Sequence, residues 1–132
     1  MKRKSQKGFS LIELLVVIVI VGIIAAIAIP SLIRAKAAAE NRAAVALLTT
    51  IRSSQMSFYA QKGRYADLAE LQQSQNGSLG SGWTPMGGVR GNFNYIYTTT
   101  NPAKYMVTAT RTSTTPAVYI VDESGEIQGF TP

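Results

Sequence analysis

The chain has 132 residues, enough for one modest core and too few for two independent domains. It contains neither cysteine nor histidine, which removes disulfide staples, Cys/His metal centres and Ser-His or Cys-His nucleophile pairs by inventory. The formal charge of +6 invites a nucleic-acid reading, but Lys2, Arg3, Lys4 and Lys7 hold four of those charges within the first seven residues. Without residues 1–8, nine Lys/Arg face seven Asp/Glu, too small an excess for an electrostatic footprint on nucleic acid.

The basic stretch leads into Gly8-Phe9-Ser10-Leu11-Ile12-Glu13, then an unbroken apolar run from Leu14 to Ile29, closed by Pro30. Counted from Phe9, the segment has the length a helix needs to cross a bilayer, roughly 20 residues. Positive charges ahead of it predict a cytoplasmic N-terminus with the remainder sent outward. Composition leaves two readings open: a plain single-pass anchor, or a secretory signal with an Ala-x-Ala site at Ala26-Ile27-Ala28 and a product starting at Ile29. Glu13 argues against both, because an ionisable group in an apolar span is costly and usually has a partner.

These residues, from Lys7-Gly8-Phe9 through Glu13 to the Leu14–Ile29 run and Pro30, resemble the class III leader and N-terminal motif of type IV pilins and type II secretion pseudopilins. The resemblance implies cleavage between Gly8 and Phe9 by a prepilin peptidase, N-methylation of the new Phe9 amine and retention of the apolar helix. Glu13 would stand at i+4 from that amine, one turn along the same face and near the positive end of the helix dipole. In the family this glutamate is thought to pair with the amine of a neighbouring subunit. A buried unpaired carboxylate is penalised, so such pairing selects one docking register. Gly22 and Pro30 weaken the helix between them, predicting a kink or a loosened stretch. The implied partners are further copies in a filament, the peptidase/methyltransferase, an inner-membrane assembly platform and membrane lipid before assembly. The implied locations are the bacterial inner membrane, then an extracellular or periplasm-spanning filament.

Beyond Pro30, the Ala-rich segment to Ala60 is amphipathic. Ile33, Ala37, Ala44, Leu47, Leu48, Ile51, Phe58 and Tyr59 share one stripe, interrupted by Gln55. A continuous helix from Ser10 to Ala60 would run roughly 75 Å, so its first half needs cover from lipid or other subunits. Gly63 is a candidate cap, and Ala66–Gln73 a short second helix. Residues 76–92, rich in glycine, read as a loop tacked down by Trp83 and Met86. Strands are expected at Phe93–Thr99, Lys104–Arg111, Ala117–Asp122 and Glu126–Phe130 from their alternation and β-branched content. Turns fall at Asn101-Pro102, Thr114-Thr115-Pro116 and Glu123-Ser124-Gly125.

The expected fold is α+β: a long N-terminal helix whose C-terminal half packs on a small antiparallel sheet, as in pilins. Its parts are a leader (1–8), an apolar transmembrane and assembly helix (9–30), an amphipathic helix half (31–62), a connecting region (63–92) and the sheet (93–132). The carboxylates of Asp122, Glu123 and Glu126 lack calcium-loop spacing, and a hairpin with Gly125 at positive φ explains them. No catalytic residue, metal site or cofactor is expected. The expected function is a structural filament subunit. A secretion pseudopilin or minor pilin is the alternative, and a DNA-uptake or adhesion receptor using Arg90, Lys104 and Arg111 a more distant one.

Overall fold

The computed structural model describes residues 8–74, 79–113 and 116–130, without the side chain of Thr100. Most of the leader, the Asn76-Gly77 part of the expected loop and the Thr114-Thr115 turn lie outside the described residues. The chain divides into two compact units, Met1–Ala38 and Ala39–Pro132, and helix α1 (Leu11–Lys62) supplies residues to both.

In the first unit α1 begins after Ser10, whose carbonyl accepts from the amides of Glu13 (3.1 Å) and Leu14 (3.3 Å). Ser10 is therefore the N-cap residue and Glu13 sits in the first turn, where its charge faces the positive helix end. The helix continues without a break through Gly22 and Pro30, so the expected loosening leaves no gap in the secondary structure of the single chain. An 18-residue window in α1 has a mean hydropathy of 3.2 and no burial, long and apolar enough to cross a membrane.

The second unit is a sheet laid over the remaining turns of α1. Five strands, β1 (Gly87–Arg90), β2 (Phe93–Asn101), β3 (Lys104–Arg111), β4 (Val118–Asp122) and β5 (Ile127–Phe130), follow one another as an antiparallel meander. Alternation sends Phe93, Tyr95, Tyr97, Tyr105, Val107, Ala109 and Val121 inward, onto Ala44, Leu48 and Ile51 of α1. Full burial of each large apolar side chain contributes about 1.5–3 kcal/mol, and this is what holds the sheet on the helix. Ile33 and Tyr59, placed on the core stripe by periodicity, are exposed. Ile33 lies in the first unit, and Tyr59 packs beside Tyr65 at 4.7 Å between centroids.

Gly63, at φ 69°, ends α1 by donating to Tyr59 O at 2.8 Å, the left-handed cap that its position suggested. Helix α2 (Leu68–Ser74) starts at a reciprocal capping box. Glu70 N donates to Asp67 Oδ1 at 2.8 Å, and Asp67 N to Glu70 Oε2 at 3.2 Å. Both Glu70 oxygens also accept from Arg64, at 2.7 and 2.9 Å, and this pairing first of all lowers the Glu70 pKa.

The connecting region differs from expectation in two respects. It contains strand β1, which glycine content concealed. Gly88 lies so close under Trp83 that a Cβ would stand 2.9 Å from the indole Cε3. Trp83 is buried as expected, its Nε1 donating to Leu79 O at 2.8 Å, but the Met86 side chain is exposed, and Met86 joins the sheet only through its carbonyl, which accepts from Tyr97 N at 2.8 Å.

Candidate functional site

The candidate site is the start of α1. Gly8, Phe9 and Ser10 precede the helix and are exposed, Phe9 by 78%. Because α1 starts at Leu11, Phe9 of the uncleaved chain is not on a helical face with Glu13, and the i+4 relation does not hold in this form. The reason is local: Ser10 takes the capping position, and a cap residue with its predecessor is non-helical. Ser10-Leu11-Ile12-Glu13 has the spacing of a capping box.

Glu13 is exposed, and none of the three ion pairs among the described residues includes it. Around it, Leu11, Ile12, Leu14 and Leu15 are each at least 46% exposed, and the large apolar side chains continue so to Ile33. From Leu14 to Ile29 there is no polar side chain, so the helix is apolar on every face, the pattern of an element covered by lipid or by other helices. The segment thus presents one carboxylate at the start of an apolar cylinder.

The cations set aside for a receptor role are otherwise engaged. Arg111, 6% exposed, donates from Nη2 to Asn41 Oδ1 at 2.6 Å, stands 3.6 Å from Glu40 Oε2 and lies over the Phe93 ring at 5.4 Å. Glu40 in turn accepts from Asn92 Nδ2 at 2.8 Å. Arg90 stacks 4.6 Å over Trp83 and donates to Ser81 O, and Lys104 stands 3.8 Å from Glu123. Of these, Arg111 is built into the core of the second unit, whereas the Lys104 side chain is 62% exposed. The buried role of Arg111 had a signal in its parity: it follows Tyr105, Val107 and Ala109 on the inward side of β3. Gln55, which seemed to interrupt the core stripe, belongs to it. Wholly buried, it donates to Ala66 O at 2.6 Å and accepts from Ala66 N at 2.9 Å.

At the β4–β5 turn, Asp122 Oδ1 accepts from the amide of Ser124 at 2.9 Å and from its hydroxyl at 2.5 Å, and Gly125 has φ 76°. The turn thus uses its carboxylate internally, as the hairpin reading expected.

The class of this segment follows from comparison: residues 3–29 match the model of the prokaryotic N-terminal methylation motif. Over about half its length the chain is similar to type IV pilins and type II secretion pseudopilins. It is 44% identical over 64 residues to the type IV major pilin protein PilA of Myxococcus xanthus, covering 48% of this chain and 29% of that protein. It is 37% identical over 65 residues to the type II secretion system core protein G of Klebsiella michiganensis (49% and 46%), and 40% over 62 residues to the type IV major pilin protein PilE1 of Neisseria gonorrhoeae (47% and 38%). The matches thus span less than half the length of each of these relatives. No solved structure matches the chain significantly.

Proposed function

We propose that the chain is a structural subunit of a type IV pilus-like filament, not an enzyme, polymerised through the apolar half of α1. The observation that carries this reading is Glu13: exposed, outside every ion pair among the described residues, and set in an otherwise apolar helix just after an accessible Gly8–Phe9 junction. In this reading a prepilin peptidase cuts after Gly8 and the Phe9 amine is N-methylated. The freed N-terminus joins the helix, and Glu13 pairs with the amine of a neighbouring copy as the subunit docks. Before assembly the apolar helix spans the inner membrane with its N-terminus inside; an assembly platform then moves it into the filament. Gly22 and Pro30 let the helix loosen there.

Two measurements test this. The intact mass and N-terminal residue of the mature protein should report methyl-Phe9; a chain starting at Ile29 would instead establish a cleaved signal peptide, and one starting at Met1 a plain anchor. Glu13→Ala should insert and be processed normally yet fail to enter filaments, and a normal filament yield would refute the register role.

Similarity to core protein G, which the matched stretch covers more fully than either pilin, favours a second reading as a pseudopilin of a secretion system. Isolating native filaments and measuring whether this chain is their bulk component separates the two.

A further inference from the structure

The apolar surface of α1 does not stop at Pro30. Leu32 and Ile33 are 70% and 63% exposed, and the first charged residue after Glu13 is Arg34, followed by Lys36. At 1.5 Å of rise per residue, Glu13 and Arg34 stand roughly 31 Å apart along the helix axis. That matches the hydrocarbon core of a bilayer, about 30 Å thick, so a helix with Arg34 at one interface has Glu13 at the other.

Arg34 and Lys36 are exposed, and among the described residues neither takes part in a hydrogen bond or an ion pair. Glu40, the next carboxylate along α1, already faces Arg111 and accepts from Asn92. Two positions apart on a helix, the two cations point about 200° apart, so they form a collar around α1 rather than a patch on one face. Their aliphatic stems are of the kind that lies along apolar surface while the charged head reaches outward.

Cations are sparse on the outward side of a membrane span, and a pair of them there calls for a partner. The groups at that level are phosphate esters, which a guanidinium grips through two parallel N–H donors and an ammonium meets as a point charge. A zwitterionic headgroup answers its phosphate with its own cation. An anionic headgroup does not, and each basic side chain near such a surface gains about fivefold in affinity.

We propose that Arg34 and Lys36 dock on the phosphates of anionic phospholipids in the outward leaflet while the subunit is unassembled. This rests on the membrane-spanning state of the proposed function and names the lipid that state prefers.

The protein has no cysteine, so a single introduced one carries a fluorophore. The full chain is placed in vesicles of phosphatidylcholine and phosphatidylglycerol, labelled through Ser31→Cys, one turn before Arg34, or through Ile24→Cys, midway along the span; both positions are exposed. The quencher is a nitroxide on the acyl chain just beneath the headgroup, carried by each lipid in turn. At position 31, nitroxide phosphatidylglycerol should quench more than nitroxide phosphatidylcholine, with a local preference of about fivefold per cation that shrinks as salt is added. Arg34→Gln combined with Lys36→Gln should erase the preference, and Arg34→Lys should retain it. Position 31 lies at the opposite end of the span from the leader, so the leader cations do not set this preference. Quenching by aqueous iodide at position 24 would sink the membrane-spanning reading and this assignment together. Protection at position 24 with equal quenching by the two lipids at position 31, or a preference that survives both glutamine substitutions, would overturn the lipid docking alone.

Discussion

Gln55 holds both backbone groups of Ala66, its amide nitrogen donating to the carbonyl at 2.6 Å and its amide oxygen accepting from the N–H at 2.9 Å. One wholly buried side chain thereby ties α1 to the segment leading into α2, where the backbone has left the helix and would otherwise carry unpaired polar groups. Gln55→Leu keeps the bulk and removes both bonds, so it should cost about 2–4 kcal/mol of unfolding free energy. Denaturant unfolding followed by the fluorescence of Trp83, the single tryptophan, reads this directly. A variant as stable as the parent would mean that solvent reaches Ala66.

The Glu40–Arg111 pair should behave as a unit. Arg111→Met leaves the Glu40 carboxylate, 23% exposed, without its buried cation and should cost about 3 kcal/mol. Glu40→Gln in the same chain removes the stranded charge and keeps an acceptor for Asn92, so the double variant should regain part of the loss. Strictly additive single and double values in the same unfolding assay would count against coupling.

Stability should fall on both sides of neutral pH. On the acid side, Glu70 has a folded pKa lowered by Arg64; its contribution is present above the unfolded carboxylate value, about 4.3, and is lost as pH falls through the folded value. The pair is more than a third exposed, so screening keeps this to a few tenths of a kcal/mol, and Arg64→Gln should flatten it.

On the alkaline side, burial pushes Tyr95 up to about 12 and raises Tyr105 as well. Between about pH 10 and the folded value the unfolded phenol releases its proton first, so the folded state binds more protons and stability drops with pH. For Tyr95 the loss is about 2–3 kcal/mol across that window, and Tyr95→Phe should remove it. Unfolding midpoints measured against pH would show a shallower alkaline limb in the variant.

Pro30→Ala restores a hydrogen-bond donor and removes a ring inside α1, which should raise local helix stability by about 3 kcal/mol. Hydrogen exchange around residues 26–30 in micelles should slow accordingly. If loosening between Gly22 and Pro30 serves assembly, filament yield should fall while processing stays normal; unchanged yield would remove Pro30 from the assembly mechanism.

Much of the second unit was legible from periodicity. The inward parity of Tyr105, Val107 and Ala109 placed β3, and the stripe Ala44, Leu48, Ile51 placed the face of α1 beneath it. The same parity, carried one step further, reaches Arg111. Strand β1 was not legible, since Gly87-Gly88 has little intrinsic strand preference and is extended only by pairing with β2 under Trp83. The start of α1, expected at Ser10, falls at Leu11 because Ser10 takes the capping position in the uncleaved chain.

The meander order β1-β2-β3-β4-β5 bears on how the subunit is made. Each strand pairs with its immediate neighbour in the chain, so the loops closed on folding are short and the sheet belongs to the low-contact-order, rapidly folding end of β architecture. With no cysteine, no oxidation step stands between synthesis and the native sheet. The second unit should therefore mature at the same rate in reducing and oxidising compartments, and its supply should be limited by delivery of the chain rather than by folding.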